Sequence, residues 1–311
     1  MRMDPLLAPV LAQFADFGGS PSPDVETERA VEVAQAEGMV GVLTRAVPNT
    51  VGWTDIETDG RIPVPVRVYT PTGKDGGRRT GLIYAHGGAW RTGSPATTHE
   101  HAGNLAADAD AVVVSVDYRL IPEHPFPAGL DDLWEVLRWV AANVEQLGID
   151  PARLAIGGSS AGGNLAAAVA LRARDQQGPT IALQLLEAAA LDLRRESESW
   201  DEARRDLPPL GEMLDRGLTL YVKMGADVND PYSSPLAATA FENLPPAVLL
   251  VGEADPLRHD SVLYAEKLGA AGVRASLHVF PGIVHGTENF VELMPIATDW
   301  HRTCVAALAT L

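Results

Sequence analysis

The residues best suited to chemistry in this chain follow short apolar runs. After Leu154-Ala155-Ile156 comes Gly157-Gly158-Ser159-Ser160-Ala161-Gly162-Gly163-Asn164, and then an alanine-rich stretch. Gly158-x-Ser160-x-Gly162 is the pattern of a serine on a sharp strand-to-helix turn, where small neighbours let strand and helix pass closely. A hydroxyl placed there sits at a helix N-terminus, and the amide of Ala161 is free to stabilise an oxyanion. In a chain with 29 glycines the bare pattern arises by chance about one time in ten, so the strand–turn–helix context carries the argument. A dinucleotide-binding loop needs G-x-G-x-x-G in the first βαβ unit and an acid after the next strand, and neither is in place. A turn without chemistry is the remaining alternative, and a nucleophile turn is the better reading.

A serine nucleophile needs a base, and the base needs an acid to orient it. The apolar run 247–251 leads into Gly252-Glu253-Ala254-Asp255-Pro256-Leu257, and the run 275–280 leads into Pro281-Gly282-Ile283-Val284-His285-Gly286. An acid and a histidine thus each follow a strand, in the chain order Ser160, Asp255, His285. His285 takes the proton from Ser160, and Asp255 fixes its tautomer. Asp260 and Glu253 are rival acids, but a turn can aim Asp255 back at the histidine. His86-Gly87-Gly88-Ala89-Trp90 follows another apolar run, and its Gly-Gly turn directs backbone N–H groups at one spot to complete an oxyanion hole with Ala161. His86 itself reads as structural, as do His278, inside a strand, and His259, on a polar turn. His99 and His101 flank Glu100 in a loop near a helix start and read as a solvated edge rather than a metal pair.

The elements that position these residues are legible from hydrophobic pattern. Residues 53–58 and 63–69 alternate as two antiparallel strands do. The short apolar runs at 82–85, 111–116, 154–156, 181–186, 247–251 and 275–280 are separated by helical stretches at 130–147, 161–174 and 261–271. This is the pattern of buried parallel strands with crossover helices. Residues 290–311 read as a closing helix. The result is a doubly wound α/β sheet of eight strands, whose ligand crevice lies beyond the carboxyl ends of the strands. Residues 5–45 read as amphipathic helices broken by a loop at 18–23. The charged stretch 194–230, with Pro208-Pro209 and no strand, interrupts the alternation and forms a lid with them.

Composition narrows the function classes. The 311 residues are 46% hydrophobic and 21% charged, enough apolar material for a sizeable core. A net charge of −17 supplies no basic footprint for nucleic acid and repels strongly anionic substrates. Cys304 is the single cysteine, so neither an intrachain disulfide nor a cysteine-based zinc cluster can form. Residues 1–10 carry Arg2, Asp4, Pro5 and Pro9 and lack a signal-peptide core, and no run approaches a membrane span. A cytoplasmic protein is the expectation.

Taken together, the motifs closely resemble the hormone-sensitive lipase family of esterases. The matching pieces are His86-Gly87-Gly88-Ala89-Trp90, the stretch from Asp117-Tyr118-Arg119 to Phe126-Pro127-Ala128, Gly158-Ser159-Ser160-Ala161-Gly162-Gly163-Asn164, Asp255-Pro256-Leu257 and His285-Gly286, with Asp230-Pro231-Tyr232-Ser233-Ser234-Pro235-Leu236 as a further segment. The resemblance implies an α/β-hydrolase fold, a mostly parallel eight-stranded sheet flanked by helices with a small helical cap. Residues 1–45 and 194–230 would form the cap, and 46–193 and 231–311 the two parts of the core. It implies Ser160, Asp255 and His285 as catalytic triad, the amides of Gly87, Gly88 and Ala161 as oxyanion hole, no cofactor or metal, and short- to medium-chain carboxylic esters as substrates. An amidase or acyltransferase with the same triad stays open. A non-catalytic binder on this scaffold is disfavoured because all three triad residues are present. A homodimer through the last strand and closing helix is allowed by analogy.

Three positions depart from the family pattern. Ser159 stands where many members carry Asp or Glu, which removes a charge near the nucleophile and bears on support of the 117–128 loop. Ile121 replaces the usual Ala. Glu187-Ala188 stands where Tyr-Pro is common, and Glu187, at the end of a strand, is expected to line the site and select a polar or cationic group. Trp90, Phe14 and Leu214 are the expected pocket walls.

Overall fold

The run Val112–Val116 (β4) is buried at every position, as a β-branched strand covered on both faces must be. Around it the computed structural model, which describes residues 1–7, 24–72 and 77–311, builds one eight-stranded sheet. The other strands are β1 (Val51–Glu57), β2 (Pro65–Pro71), β3 (Arg79–Ala85), β5 (Ile149–Ser159), β6 (Leu183–Glu187), β7 (Ala247–Ala254) and β8 (Ala275–Val284). Their order is β1-β2-β4-β3-β5-β6-β7-β8. β1 pairs antiparallel with β2, and β2 with β4; every other pairing is parallel.

Helices cover both faces. On one side lie α3 (Ala128–Ala142), α5 (Ala161–Asp175) and α8 (Arg258–Ala270), and on the other α2 (His99–Ala109) and α9 (Pro295–Ala309). In α3, Leu130, Leu133, Val136, Leu137 and Val140 recur at the three- and four-residue spacing that makes one apolar stripe. The predicted 130–147 helix is this element followed by a short turn of helix, α4 (Val144–Leu147). The closing helix begins later than its sequence suggests, because Phe290 and Met294 turn into the core and Pro295 takes the first helical position.

Two segments lie outside this alternation. Helix α1 (Val25–Met39) is capped by Asp24, whose side chain accepts from the Thr27 amide, and none of its residues is fully buried. The insertion forms α6 (Glu198–Asp206) and α7 (Pro208–Lys223), with the proline pair opening α7. Among the described residues no helix is long and apolar enough to cross a membrane.

Two expectations are corrected here. His99 and His101 do not sit in a solvated loop. They form the first turn of α2, with His101 buried. Glu187 does not line a substrate crevice. Leu185 and Glu187, two apart on β6, share the face packed by α2 and α9, and the Glu187 carboxylate lies fully buried there. It pairs with His101 Nε2 at 3.0 Å and accepts from Trp300 Nε1 at 2.7 Å, with Cys304 Sγ at 3.5 Å.

Candidate active site

The parallel strands deliver their C-terminal ends to one edge, and the chemistry-bearing residues follow them directly. Ser160 comes immediately after β5, Asp255 after β7, His285 after β8, and Gly87 two residues after β3. Ser160 adopts φ +54° and ψ −114°, a backbone region costly for a residue with a Cβ. Its N–H donates to the Glu187 carbonyl at 2.9 Å, and its carbonyl accepts from Asn164 and Ala190. Gly162 shows why the turn needs glycine: a Cβ there would stand 2.0 Å from the Ala85 carbonyl oxygen.

Three side chains from three loops converge. His285 Nε2 lies 2.9 Å from Ser160 Oγ, and His285 Nδ1 lies 2.9 Å from Asp255 Oδ2. The other Asp255 oxygen accepts from the Leu257 amide at 2.8 Å, so the carboxylate is aimed from both ends. Burial works against a charge on His285, but Asp255 and nearby Glu288 outweigh it and hold its pKa above the ordinary value. The rival acids are engaged elsewhere. Asp260 accepts from the amides of Leu191 and Asp192, and Glu253 accepts from Gly282 N.

The loop after β3 folds over the serine. Gly87 lies directly against the serine, where a Cβ would be in ordinary contact with Ser160 Cβ at 3.5 Å. Gly88 has φ +113° and accepts from the amides of Arg91 and Thr92, closing the turn. Among the described residues nothing accepts from the backbone N–H groups of Gly87, Gly88 or Ala161. Such donors, held open beside a hydroxyl, suit a developing oxyanion. His86 stacks on Tyr118 at 4.2 Å and its Nδ1 lies 2.6 Å from the Gly87 carbonyl; burial holds its pKa down to about 4, so it is a neutral support.

The surrounding loops brace this arrangement. Tyr118 Oη donates to the His86 carbonyl at 2.9 Å, and the Ile121 amide donates to the Trp90 carbonyl. Arg119 is held by Asp132, so the 117–128 loop draws its support from α3 rather than from position 159. Asn164 Nδ2 donates to the carbonyls of Ala190 and Ser233, fastening the 230–236 segment to the helix behind the serine. Among the described residues no His, Cys, Asp and Glu side chains cluster as a metal would require.

Of the expected pocket walls, Trp90 is buried and stacks on Tyr221 of α7 at 3.8 Å, and Leu214 is buried on the same helix. Phe14 lies outside the described residues. Sequence reasoning missed Glu288, buried three residues beyond His285, whose Oε1 accepts from Ser159 Oγ at 2.9 Å. The signal was available as a pair: no acid at 159, and an acid shortly after the histidine.

Comparison with known proteins places the fold in a family. The profile of a family described by the α/β-hydrolase fold matches residues 82–289, more than half of the chain. The chain is 39% identical to carboxylesterase NlhH of Mycobacterium tuberculosis over 98% of its own length and 95% of that protein. It is 34% identical to the ethyl acetate hydrolase of Pseudomonas putida, covering 84% of this chain and 83% of the other. The solved structure of an esterase from Pyrobaculum calidifontis superposes with a TM-score of 0.88 at 33% identity, over 99% of this chain and 98% of that one. The chain belongs to the hormone-sensitive-lipase-like family of α/β-hydrolases, a family of carboxylic ester hydrolases.

Proposed function

We propose that this ester hydrolase is a serine carboxylesterase that cleaves short- to medium-chain carboxylic esters through an acyl-enzyme. The observation that carries the reading is the unbroken run Asp255–His285–Ser160, with 2.9 Å at each step, beside three open amides. His285 Nε2 removes the Ser160 proton as Oγ attacks the ester carbonyl carbon. The carbonyl oxygen gains negative charge and is met by the amides of Gly87, Gly88 and Ala161. The tetrahedral species collapses, the C–O bond to the alcohol breaks, and His285 returns the proton to the leaving alkoxide. Water, deprotonated by the same imidazole, then attacks the acyl-enzyme and releases the acid. Throughout, Asp255 holds Nδ1–H and stabilises the imidazolium.

The segments 1–45 and 194–230 are assigned as the cap, and 46–193 and 231–311 as the core. Contacts of α1 support its own place over the loops that follow β3 and β4. Arg29 of α1 donates to the carbonyls of Arg91 and Ile121 and pairs with Glu123, while Glu32 accepts from the Gly93 amide at 2.8 Å. Trp90 and Leu214 are the assigned walls of the acyl pocket. A bulky aromatic wall favours small acyl groups, in line with a relative named for ethyl acetate.

The test is hydrolysis of p-nitrophenyl esters from acetate to dodecanoate by the wild-type chain and Ser160→Ala. Fast turnover of the short members, abolished in the variant, is the expected result. Wild-type rates in Ser160→Ala overturn the nucleophile assignment. Inert esters with active anilides replace the esterase by an amidase.

A further inference from the structure

The hydrogen bond from Ser159 to Glu288 has a neighbour of similar length. One bond joins residues 159 and 288, the other joins 160 and 285, and both measure 2.9 Å. They are two rungs between the same pair of loops. Glu288 is 5% exposed, and its Oε2 has no hydrogen-bond partner among the described residues. A carboxylate moved out of water is costly unless it is well paired, and one serine hydroxyl is a weak partner. The placement therefore needs a reason beyond local bonding.

The groups that interact with Glu288 supply one. They are His285, Ser159, Glu187, Tyr84, His101 and Cys304. Among them His285 and His101 can carry positive charge, and His101 is already matched by Glu187 at 3.0 Å. The ring nitrogens of His285 are both taken, Nδ1 by Asp255 and Nε2 by Ser160, so a further carboxylate acts on it through space.

We propose that Glu288 is a positioning residue for ester hydrolysis, tying the residue before the nucleophile to the loop of the base and setting a second negative charge beside the imidazolium. The inference rests on the reading of His285 as base. Asp255 orients the ring, whereas Glu288 fixes the distance between the two loops and adds to the field that favours a protonated His285. Burial raises the pKa of Glu288 itself, and the positive charge on His285 opposes that rise, so the two groups favour each other's charged forms.

The experiment pairs the pH profile of kcat/KM for p-nitrophenyl acetate with an NMR titration of His285 in the full-length chain. Glu288→Gln keeps the size and the acceptor for Ser159 and removes the charge. Since the carboxylate raises the pKa of the base, its removal moves the acid limb down by about one pH unit and lowers kcat roughly tenfold. Ser159→Asp combined with Glu288→Gln returns a carboxylate to the other end of the same rung, and is expected to restore the limb and most of the rate. An acid limb that stays in place in Glu288→Gln overturns the proposal, even if the rate or Tm falls, because a purely structural residue has that effect. Should Glu288→Gln fail to fold, the double variant decides: a wild-type limb supports the proposal, and a lowered one overturns it. The NMR titration reads His285 without turnover, so it separates this proposal from the esterase reading, which Ser160→Ala tests alone.

Discussion

Two buried histidine–carboxylate pairs occupy this molecule, and they are almost the same length. His285 meets Asp255 at 2.9 Å, and His101 meets Glu187 at 3.0 Å. Burial opposes the charge on each imidazole, and in each the carboxylate outweighs it and raises the pKa. What differs is the third partner. The first pair presents its free ring nitrogen to a hydroxyl on a strained turn, with open amides nearby. The second is enclosed, its carboxylate also bound by the indole of Trp300 and close to the thiol of Cys304. A histidine with a buried acid is thus a stable packing unit, and reactivity comes from what faces its other nitrogen.

The comparison breaks most visibly at the histidines. His285→Gln is expected to lower kcat by roughly 10⁴-fold or more with the fold intact. His101→Gln is expected to leave kcat within about threefold but to cost ~3 kcal/mol of stability, because the buried Glu187 charge loses its cationic partner and keeps only neutral donors. Ester kinetics and denaturant unfolding of both variants check this, and an inactive but fully stable His101→Gln contradicts it. At the acids, Asp255→Asn should lose roughly 10⁴-fold in kcat through the wrong tautomer of His285. Glu187→Gln should instead lower Tm and leave the preference between neutral and cationic esters unchanged, since its side chain faces α2 and α9.

pH sharpens the contrast. Burial raises the pKa of Glu187, but His101, Trp300 and Cys304 outweigh it and bring it down to about 2 from 4.5. A depressed acid contributes stability that is present above 4.5 and lost as pH falls through about 2. The raised His101 contributes stability that is full below 6.5 and lost as pH rises through its folded pKa. The pair therefore stabilises most between about pH 4.5 and 6.5, and Tm against pH should flatten in His101→Gln. Activity is expected to run the other way, with kcat/KM rising as His285 loses its proton above its ordinary range, because Asp255 and Glu288 raise its pKa. The smallest effect is expected at a rival acid: Glu253→Gln, which faces Gly282, should leave kcat within about twofold.

The Ser160 turn and the strands beneath it are legible because their signals are local. Glycines at 158 and 162 around Ser160, an apolar run before and alanines after, describe a backbone path within a few residues. The eight strands are visible in the same way, as are the loops that carry Asp255 and His285. The orientation of Glu187 is not legible locally for a specific reason: it follows Leu185 and Leu186 in a strand buried on both faces, so hydrophobicity carries no parity. The pattern around His101 suggests a solvated loop, because Glu100 and two histidines are polar, and only the buried Glu187, bound by Trp300, gives His101 an interior partner.

What the sequence determined by itself is the set of elements, their order, and which loops follow which strands, since backbone preference and burial pattern act over short distances along the chain. Which side of the sheet Glu187 enters, that His101 meets it, and that Ser159 finds its acid at Glu288 were decided only by tertiary structure. Those pairings join residues 86 to 129 apart. They depend on the pleat of a two-sided sheet and on how helices settle against it, and no short window of sequence contains either.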